Sequence, residues 1–327
     1  MQHSFKADWC RIANPIALVV GAMGFTGRYL VSALIEDGFH VVAADRLSVM
    51  PTRYNDERVS LLDLTDLDAA QESLAECKPQ VVFHLAGKIH ADTPIDLYQT
   101  NIMVTLKLFE ALEECRSQPL VVNIGSSAQY GLPVDRKVAV DEEQPLRPIS
   151  HYGVSKVAQE CLAMCYHRNR KLQAIVTRTF NLIGPSQPSS FVCSAFARQV
   201  AEIEAGVRPP VLSTGRLDTK RDFVDVRDAV QAYIALARFG IPGEVYNVCS
   251  GKLVEVGECL DILRHIARAQ FSKVTDPTRL RSDEIDCQFG SPAKIHAQVG
   301  WLPKISFSES IGDSLNYWRS QINSKKV

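Results

Sequence analysis

A tyrosine and a lysine four residues apart, Tyr152 and Lys156, are the residues of this sequence best placed to do chemistry. The segment from Tyr152 to about residue 170 is predicted to be helical, and residues i and i+4 lie on one face of a helix. A nearby lysine cation favours the phenolate and lowers the pKa of a tyrosine from its ordinary value of about 10. A phenol tuned in this way can exchange a proton with an alcohol or a ketone.

Ser126 lies in the loop GSSAQYG, directly after the apolar segment LVVNI. At the end of that predicted strand, its hydroxyl is placed to orient the oxygen of the alcohol or ketone. Each residue also has an ordinary structural interpretation: a half-buried aromatic ring for Tyr152, a solvated helix charge for Lys156 and a loop hydroxyl for Ser126. Of the nine tyrosines only Tyr152 has a lysine four residues later, and the predicted helix follows this loop. The combination favours the chemical interpretation.

A glycine-rich loop, GAMGFTG, directly follows the first apolar segment and precedes a predicted helix. Its glycines are Gly21, Gly24 and Gly27. Such a loop turns tightly and lets the backbone approach a pyrophosphate, whose charge is stabilised by amides at the helix N-terminus. Asp45 ends the next strand about twenty residues later, where a carboxylate accepts hydrogen bonds from ribose hydroxyls. This predicts a dinucleotide site with NAD(H) preferred, whereas the adjacent Arg46 could attract a 2′-phosphate and leaves NADP(H) open.

The elements that must position these residues alternate regularly along the first half of the chain. Short apolar segments, IALVV, HVVAA, VSLL, VVFHL, LVVNI and LQAIVTR, alternate with longer helical patterns. This rhythm predicts an α/β fold with a doubly wound parallel sheet (Rossmann), covered by helices on both faces. Ligands bind beyond the carboxyl ends of the strands in such sheets, where the glycine loop and Ser126 both lie.

The pattern changes after residue 182, where segments rich in Pro, Ser and Gly alternate with helices. The sequence therefore predicts a smaller C-terminal substrate-binding lobe. Residues 1–182 are assigned to an NAD(P)-binding domain, to which 222–249 return as one helix and one strand. Residues 183–221 and 250–327 are assigned to the lobe.

Composition limits the partners. With 327 residues and a net charge of -1, the chain has no excess of positive charge to attract nucleic acid or anionic lipid over a distance. We expect no membrane span and no secretion signal, because the apolar run near the N-terminus, IALVV, is only strand-sized. The nine cysteines include no C-x-x-C pair, which argues against a disulfide framework and a zinc site. We expect reduced thiols, no metal and a cytoplasmic protein.

Four segments in order, GAMGFTG, HLAG, GSSAQYG and YGVSK, resemble the extended short-chain dehydrogenase/reductase (NAD-dependent epimerase/dehydratase) family over nearly the whole chain. The resemblance implies that Tyr152 is the general acid/base, Lys156 the ribose-binding lysine and Ser126 the third member of the triad. Asn101, in TNIMVT, resembles the family's helix asparagine, with a structural role equally open. Further implied cofactor-binding residues are Phe25, Thr26, Asp63, Leu64, Leu85 and Ala86. For Asp63, a helix N-cap is an equal alternative.

The second half, with RTFNLIGPSQPSSFV, RDFVDVRDAVQAY and LRSDEI, is similar to the GDP-mannose branch of that family. The similarity implies that Asn181 contacts the substrate near its phosphates. It also implies that Arg221 and Arg281 hold the diphosphate by forked, charge-assisted bonds. The full substrate-binding set that it implies is Ser127, Asn181, Arg198, Arg221, Arg281 and Glu284. Arg198 is the weaker arginine candidate, and Glu284 would bind the nucleoside ribose.

Two positions depart from that branch. Ala128 stands where a glutamate is usual, and the 4,6-dehydratases need that acid to move a proton at C5 of the sugar. Ser282 replaces a proline, which affects loop stiffness more than chemistry.

The resemblance therefore implies reduction of the C4 ketone of GDP-4-keto-6-deoxy-D-mannose to GDP-D-rhamnose or its C4 epimer by NAD(P)H, with Tyr152 as proton donor. A nucleotide-sugar 4-epimerase that retains NAD and an inactive cofactor-binding regulator are the alternatives. The family also implies a homodimer formed through a bundle of the long helices around residues 95–115 and 151–170.

Overall fold

The computed structural model describes residues 7–46, 56–64, 66, 73, 76–114, 118–279 and 285–324. The strands in chain order are β1 (Ile16–Val20), β2 (His40–Asp45), β3 (Val59–Asp63), β4 (Val81–His84), β5 (Leu120–Ile124), β6 (Gln173–Thr179), β7 (Asn181–Ile183), β8 (Val211–Thr214), β9 (Lys220–Arg221), β10 (Phe223–Asp225), β11 (Val245–Val248), β12 (Val254–Glu255), β13 (Ser272–Thr275) and β14 (Cys287–Gln288). The helices are α1 (Phe25–Glu36), α2 (Pro94–Tyr98), α3 (Val104–Glu113), α4 (His151–Arg168), α5 (Val192–Glu204), α6 (Val226–Phe239), α7 (Val256–Ile266), α8 (Ala293–Val299) and α9 (Phe307–Asn323).

The main sheet has seven strands in the order β11-β6-β5-β4-β1-β2-β3, and every pairing is parallel. Every residue of β4 and β5 is buried, as continuous apolar strands with helices on both sides must be. The predicted doubly wound α/β fold is confirmed.

The two faces of the sheet carry separate apolar clusters. On one face α1 and α6 pack through residues such as Leu30, Leu34 and Tyr233. On the other face α3 and α4 pack through residues such as Leu108 and Ala163. Helices therefore cover both faces of the sheet, and this packing holds in place the strand ends that carry the site.

A third apolar cluster forms the smaller lobe. It joins α5, α7 and α9 through residues such as Phe196, Leu260 and Leu315. Short sheets complete the lobe: β12-β9-β14, β13-β8 and β10-β7. The α5, α7 and α9 helices therefore share one core that is separate from the cores of the main sheet.

The segment 293–301 differs from its sequence assignment. The sequence placed it in the smaller lobe, but Ile295 and Trp301 are buried in the cluster of the main sheet. The indole nitrogen of Trp301 also donates a hydrogen bond to the Asp228 carbonyl at 3.0 Å. The apolar side of the short helix α8 thus covers α6, and the chain returns to the main domain a second time.

Neither a membrane-spanning helix nor a metal cluster occurs in the part of the chain that the structure describes. No helix there has the length and hydropathy needed to cross a membrane. No group of three or more His, Cys, Asp or Glu side chains in that part of the chain is arranged to hold a metal ion.

Candidate active site

The glycine loop joins the ends of three strands. Gly21 has a φ of +90°, and a Cβ there would lie 2.9 Å from the backbone nitrogen of Ala86 beyond β4. Its own N–H donates to the Ala44 carbonyl of β2 at 2.8 Å. A Cβ on Gly27 would overlap the Gly21 carbonyl oxygen and the Ala22 backbone. Only glycine fits either position, so the loop can turn tightly into α1.

The N-terminus of α1 fits an anionic ligand. Its N-cap, Gly24, makes no side-chain hydrogen bond to the first turn, and the first amides of a helix have no partner within the helix. Phe25 and Thr26, which the family resemblance implies bind the cofactor, are the first two residues of this turn. Main-chain donors at a helix N-terminus after a glycine loop are suited to the pyrophosphate of a dinucleotide.

Asp45, the last residue of β2, ties the loop to the sheet. One carboxylate oxygen accepts the Met23 N–H and the other accepts the Arg46 N–H, both at 2.8 Å. Asp63 lies opposite Asp45 in the register of β2 and β3, and the Leu64 N–H donates to the Asp45 carbonyl at 2.8 Å. The acidic strand ends predicted to face the adenosine therefore lie side by side.

The end of β4 completes this edge. The Leu85 N–H donates to the Val20 carbonyl at 2.9 Å, and the Ala86 backbone lies against Gly21. The structure thus brings the predicted cofactor-binding residues of four separate segments to one edge of the sheet.

Tyr152 lies in the first turn of α4. This helix begins after Ser150, whose hydroxyl accepts the Gly153 N–H at 3.1 Å. The half-buried side chain of Tyr152 is hydrogen-bonded to the Ser126 side chain, and this bond lowers the pKa of the phenol. Burial has the larger, opposite effect, so the pKa of Tyr152 is raised overall. The structure therefore brings together the two hydroxyl groups that the sequence placed about 25 residues apart.

Lys156 is buried beneath Tyr152 on the same helix. Its Nζ donates to the Ile124 carbonyl at the end of β5 at 3.0 Å, and burial lowers its pKa to about 8. The expectation that Lys156 brings the pKa of Tyr152 towards neutrality is not met in this arrangement. The reason is that desolvation of the phenol outweighs the influences that favour its ionised form.

The lowered pKa of Lys156 gives a pH prediction. The ammonium form exists below a pH of about 8, and only that form can donate to a ribose hydroxyl and also carry charge beside Tyr152. We expect kcat/KM for the cofactor to fall as pH rises through about 8. Steady-state rates measured across this pH range check the prediction. In Lys156→Met the fall in kcat/KM near this pH should be missing, because the titrating group has been removed. A wild-type profile that stays flat well above that pH would contradict it.

Asn101 lies in a π-helical turn, Gln99–Met103, between α2 and α3. Its fully buried side chain accepts the Lys88 N–H at 2.7 Å and donates to the Ser155 hydroxyl at 2.9 Å. The Ser155 hydroxyl in turn donates to the Tyr152 carbonyl at 2.8 Å. Asn101 therefore fastens the loop after β4 to the helix that carries Tyr152.

Two of the predicted substrate-binding residues meet on the lobe side. The Asn181 side chain, at the start of β7, donates to the Asp222 carbonyl at 2.9 Å. Arg221, the neighbour of Asp222, is half-buried at the end of β9 and donates to the Lys220 carbonyl at 3.0 Å. The bond to Asp222 thus places Asn181 beside the backbone that directly follows Arg221.

The remaining residues predicted to bind the substrate are Ser127, Arg198, Arg281 and Glu284. Ser127 is buried, with 6% of its surface exposed, inside the turn after β5. Arg198 forms an ion pair with Glu202 at 2.7 Å and also bonds the Ser189 hydroxyl at 3.1 Å. Glu202 lies one turn away on α5 and Ser189 lies just before that helix, so these contacts favour a structural role for Arg198. Arg281 and Glu284 lie outside the described residues, as does Ser282.

Comparison with known proteins now identifies the family. A family model for GDP-mannose 4,6 dehydratase matches residues 18–314. The chain belongs to that family of extended short-chain dehydrogenases/reductases. It is therefore an NAD(P)-dependent oxidoreductase of the class that acts on nucleotide sugars.

Individual relatives extend over nearly full length. GDP-6-deoxy-D-mannose reductase of Pseudomonas aeruginosa is 34% identical over 93% of this chain and 97% of its own. The structure of RMD from Pseudomonas aeruginosa complexed with NADPH superposes with a TM-score of 0.80 and 31% identity, covering 94% of this chain and 100% of that one. The UDP-glucose 4-epimerase of Thermus thermophilus in complex with NAD superposes with a TM-score of 0.81 and 26% identity, covering 93% and 99%.

Three buried polar residues near Ser126 and Tyr152 were not recognised from the sequence. They are Gln129 in the turn after Ser126, Glu160 on α4 and Arg178 on β6. A signal for Arg178 was available, because a charge inside the apolar segment LQAIVTR must find a partner when the strand is buried. Glu160 follows Lys156 by one helical turn, which points it towards the same interior.

Proposed function

We propose that this chain reduces the C4 ketone of a GDP-linked 4-keto-6-deoxyhexose, forming GDP-D-rhamnose or its C4 epimer from GDP-4-keto-6-deoxy-D-mannose. Full-length similarity to a GDP-6-deoxy-D-mannose reductase supports the substrate class. The observation that carries the chemistry is the hydrogen bond between Ser126 and Tyr152 at the carboxyl end of β5.

The residues divide the reaction between them. When bound on the glycine loop, a reduced nicotinamide would supply the hydride for C4 of the sugar. Tyr152 donates its phenolic proton to the C4 oxygen and regains a proton from solvent. Its raised pKa keeps it protonated at neutral pH, as a donor in the reductive direction requires. Ser126 orients the same oxygen, while Lys156 serves the cofactor ribose.

Ala128 argues against dehydration. It lies in the turn after Ser126, and its N–H donates to the Ser126 hydroxyl at 3.2 Å. A methyl side chain can neither take nor give the C5 proton that dehydratases of this branch move with a glutamate. We therefore assign the chain to keto reduction, although the matching family model carries the name of a dehydratase.

Stoichiometry tests the function. With GDP-4-keto-6-deoxy-D-mannose supplied, we expect one NADH or NADPH oxidised per GDP-6-deoxyhexose formed. The second candidate is a nucleotide-sugar 4-epimerase, which the similarity to the NAD-bound Thermus enzyme favours. That candidate replaces ours if GDP- or UDP-hexoses interconvert with no net change in NADH absorbance and the purified protein already carries NAD. Binding of cofactor with no turnover in either assay would indicate a regulator.

We expect NADH to be preferred over NADPH. The Asp45 carboxylate accepts two main-chain N–H groups at the end of β2, and a carboxylate there repels a 2′-phosphate more than a ribose hydroxyl. The ratio of kcat/KM for the two cofactors measures the preference. In Asp45→Ser the ratio should move towards NADPH. A clear preference for NADPH in the wild type would show that Arg46 dominates the pocket.

Arg221→Ala should raise KM for the nucleotide sugar while cofactor affinity stays nearly unchanged. A charge-assisted hydrogen bond contributes about 1.5–3 kcal/mol, so a rise of roughly ten- to a hundredfold is expected. We propose the same role for Arg281. Arg264→Ala, which removes an exposed arginine paired with Asp261 on α7, is the matched control. Equal losses for substrate and cofactor would place Arg221 outside the diphosphate site.

We also propose a homodimer. Apolar side chains stand exposed on the helical face formed by α2, the π turn and α4: Ile95 at 67%, Met103 at 47% and Val154 at 41%. Pairing with a second copy would cover this face. Light scattering of the purified protein measures its oligomeric state. Val154→Glu places a charge on this face and should shift the protein towards monomer.

We propose a cytoplasmic location as well. The eight cysteines in the described part of the chain are free thiols, which persist in reducing compartments.

A further inference from the structure

The backbone of Ser126 is held by a single side chain. The Ser126 N–H donates to Gln129 Oε1 at 2.8 Å, and the Ser126 hydroxyl caps the turn through the Ala128 N–H. A side chain on Gly125 would overlap Gln129 Oε1, so the amide lies tightly against the chain entering the turn. Gln129 is fully buried. The turn that carries the Ser126 hydroxyl therefore depends on the orientation of one buried amide.

That orientation is imposed by a carboxylate. Gln129 Nε2 donates to Glu160 Oε2 at 2.6 Å. An ionised carboxylate only accepts hydrogen bonds, so the NH₂ group of Gln129 must face Glu160. The amide oxygen then has to face Ser126, because the two ends of the amide are fixed relative to each other.

Glu160 is itself immobilised from the sheet. Arg178 donates to its two oxygens at 2.6 and 3.0 Å in a forked arrangement, and the two side chains are only 7% and 10% exposed. Arg178 also donates to the Tyr130 hydroxyl at 3.1 Å and the Glu142 carbonyl at 2.9 Å. A planar guanidinium with these partners leaves the carboxylate little freedom to rotate.

We propose that Gln129 is a positioning residue for the reaction: held by Glu160 and Arg178, its amide fixes the Ser126 backbone so that the serine hydroxyl points at Tyr152. The inference rests on the proposed function only for the roles of Ser126 and Tyr152. The path runs from β6 through α4 to the turn after β5; the contacts among Arg178, Glu160 and Gln129 are buried, and the last one, to Ser126, is partly buried.

The phenol of Tyr152 reports whether Ser126 is in place. The bond from Ser126 favours the ionised phenol, so losing it should move the titration of Tyr152 to higher pH. Two other ionisable groups belong to its surroundings: Tyr233 on α6, which interacts with Tyr152, and Lys156, one turn further along α4. Neither contacts Gln129, so a shift caused by Gln129 has to pass through Ser126.

Gln129→Met is the main test, because it keeps the length of the side chain and removes both hydrogen bonds. Protein labelled with ¹³C-tyrosine shows the Tyr152 signal by NMR without any substrate, and Tyr152→Phe identifies that signal. We expect Gln129→Met and Ser126→Ala to change the chemical shift of the Tyr152 signal and to raise its titration midpoint by similar amounts. The double variant should show no larger change than either single variant. Gln199→Met removes two hydrogen bonds of a buried glutamine, to Ser213 at 2.9 and 3.1 Å, and should leave the Tyr152 signal unchanged.

Turnover gives the second readout. Misplacing a catalytic group by about 1 Å costs on the order of 10²-fold, so kcat of Gln129→Met should fall by up to that factor with KM unchanged. If thermal unfolding shows that Gln129→Met does not fold, the shorter amide of Gln129→Asn takes its place. A Tyr152 signal and titration identical to wild type, or kcat losses that multiply in the double variant, would overturn the proposal. If the wild type does not reduce the GDP-4-keto sugar, the proposed function fails while the NMR result still decides the role of Gln129.

Discussion

Tyr152→Phe is expected to lose nearly all turnover while it keeps its fold and its cofactor affinity. The substitution removes only the hydroxyl that bonds Ser126 and donates the proton, and the ring still fills the half-buried position at the start of α4. General acid catalysis by a positioned side chain contributes about 10²–10⁴-fold, which sets the size of the loss in kcat. Steady-state kinetics and titration of cofactor fluorescence measure the two effects separately.

A matched tyrosine gives the control. Tyr317 lies in α9 of the smaller lobe, and Tyr317→Phe should leave kcat at the wild-type value. Turnover of Tyr152→Phe close to wild type would end the proposed mechanism. Loss of cofactor affinity together with kcat would mean that Tyr152 acts mainly through the nicotinamide riboside.

Arg178→Met is expected to cause the largest loss of stability. It leaves the Glu160 carboxylate buried with the hydrogen bond from the Gln129 amide but without its cationic partner, and removing one partner of a buried ion pair costs about 3–5 kcal/mol. Denaturant unfolding measures the free energy directly. The effect should exceed that of any exposed ion pair of the chain, such as Arg264 with Asp261, for which about 0–1 kcal/mol is typical.

The paired substitution separates charge from packing. In Arg178→Met with Glu160→Met, no unpaired charge remains, and apolar pairs often replace buried ion pairs with little loss. We therefore expect most of the stability to return while kcat stays low, because Gln129 has lost the partner that orients it. A single Arg178→Met variant as stable as wild type would show that water reaches Glu160.

Local patterns were sufficient to predict the sheet and to single out the residues that the fold brings to its edge. Strands such as LVVNI are buried on both faces and so read as continuous apolar segments, which only a covered parallel sheet explains. The glycine loop and Asp45 were recognisable because turn geometry and ribose recognition require particular residue types at fixed distances along the chain. Tyr152 and Ser126 were found in the same way, by their spacing from a strand end.

Properties that depend on three-dimensional surroundings were not predictable. The direction of the pKa shift of Tyr152 is set by how much water the fold removes from the phenol, and the sequence shows only that Lys156 is near. The contacts of Arg198 with Glu202 and Ser189 depend on which face of α5 is exposed. Trp301 returns to the main sheet because Asp228 of α6 accepts its indole N–H, a contact across 73 residues.

The π turn at Gln99–Met103 makes the number of residues in that segment as important as their identity. A π turn is an α-helix that has accommodated one extra residue. If a single residue were deleted there, the ladder would close into a regular helix, and everything before it would rotate by about 100°. The amide of Asn101 would then turn away from Lys88 and Ser155, and the loop after β4 would lose its anchor to the helix that carries Tyr152. We therefore expect this turn to tolerate substitutions of its exposed residues but not the deletion of a single residue.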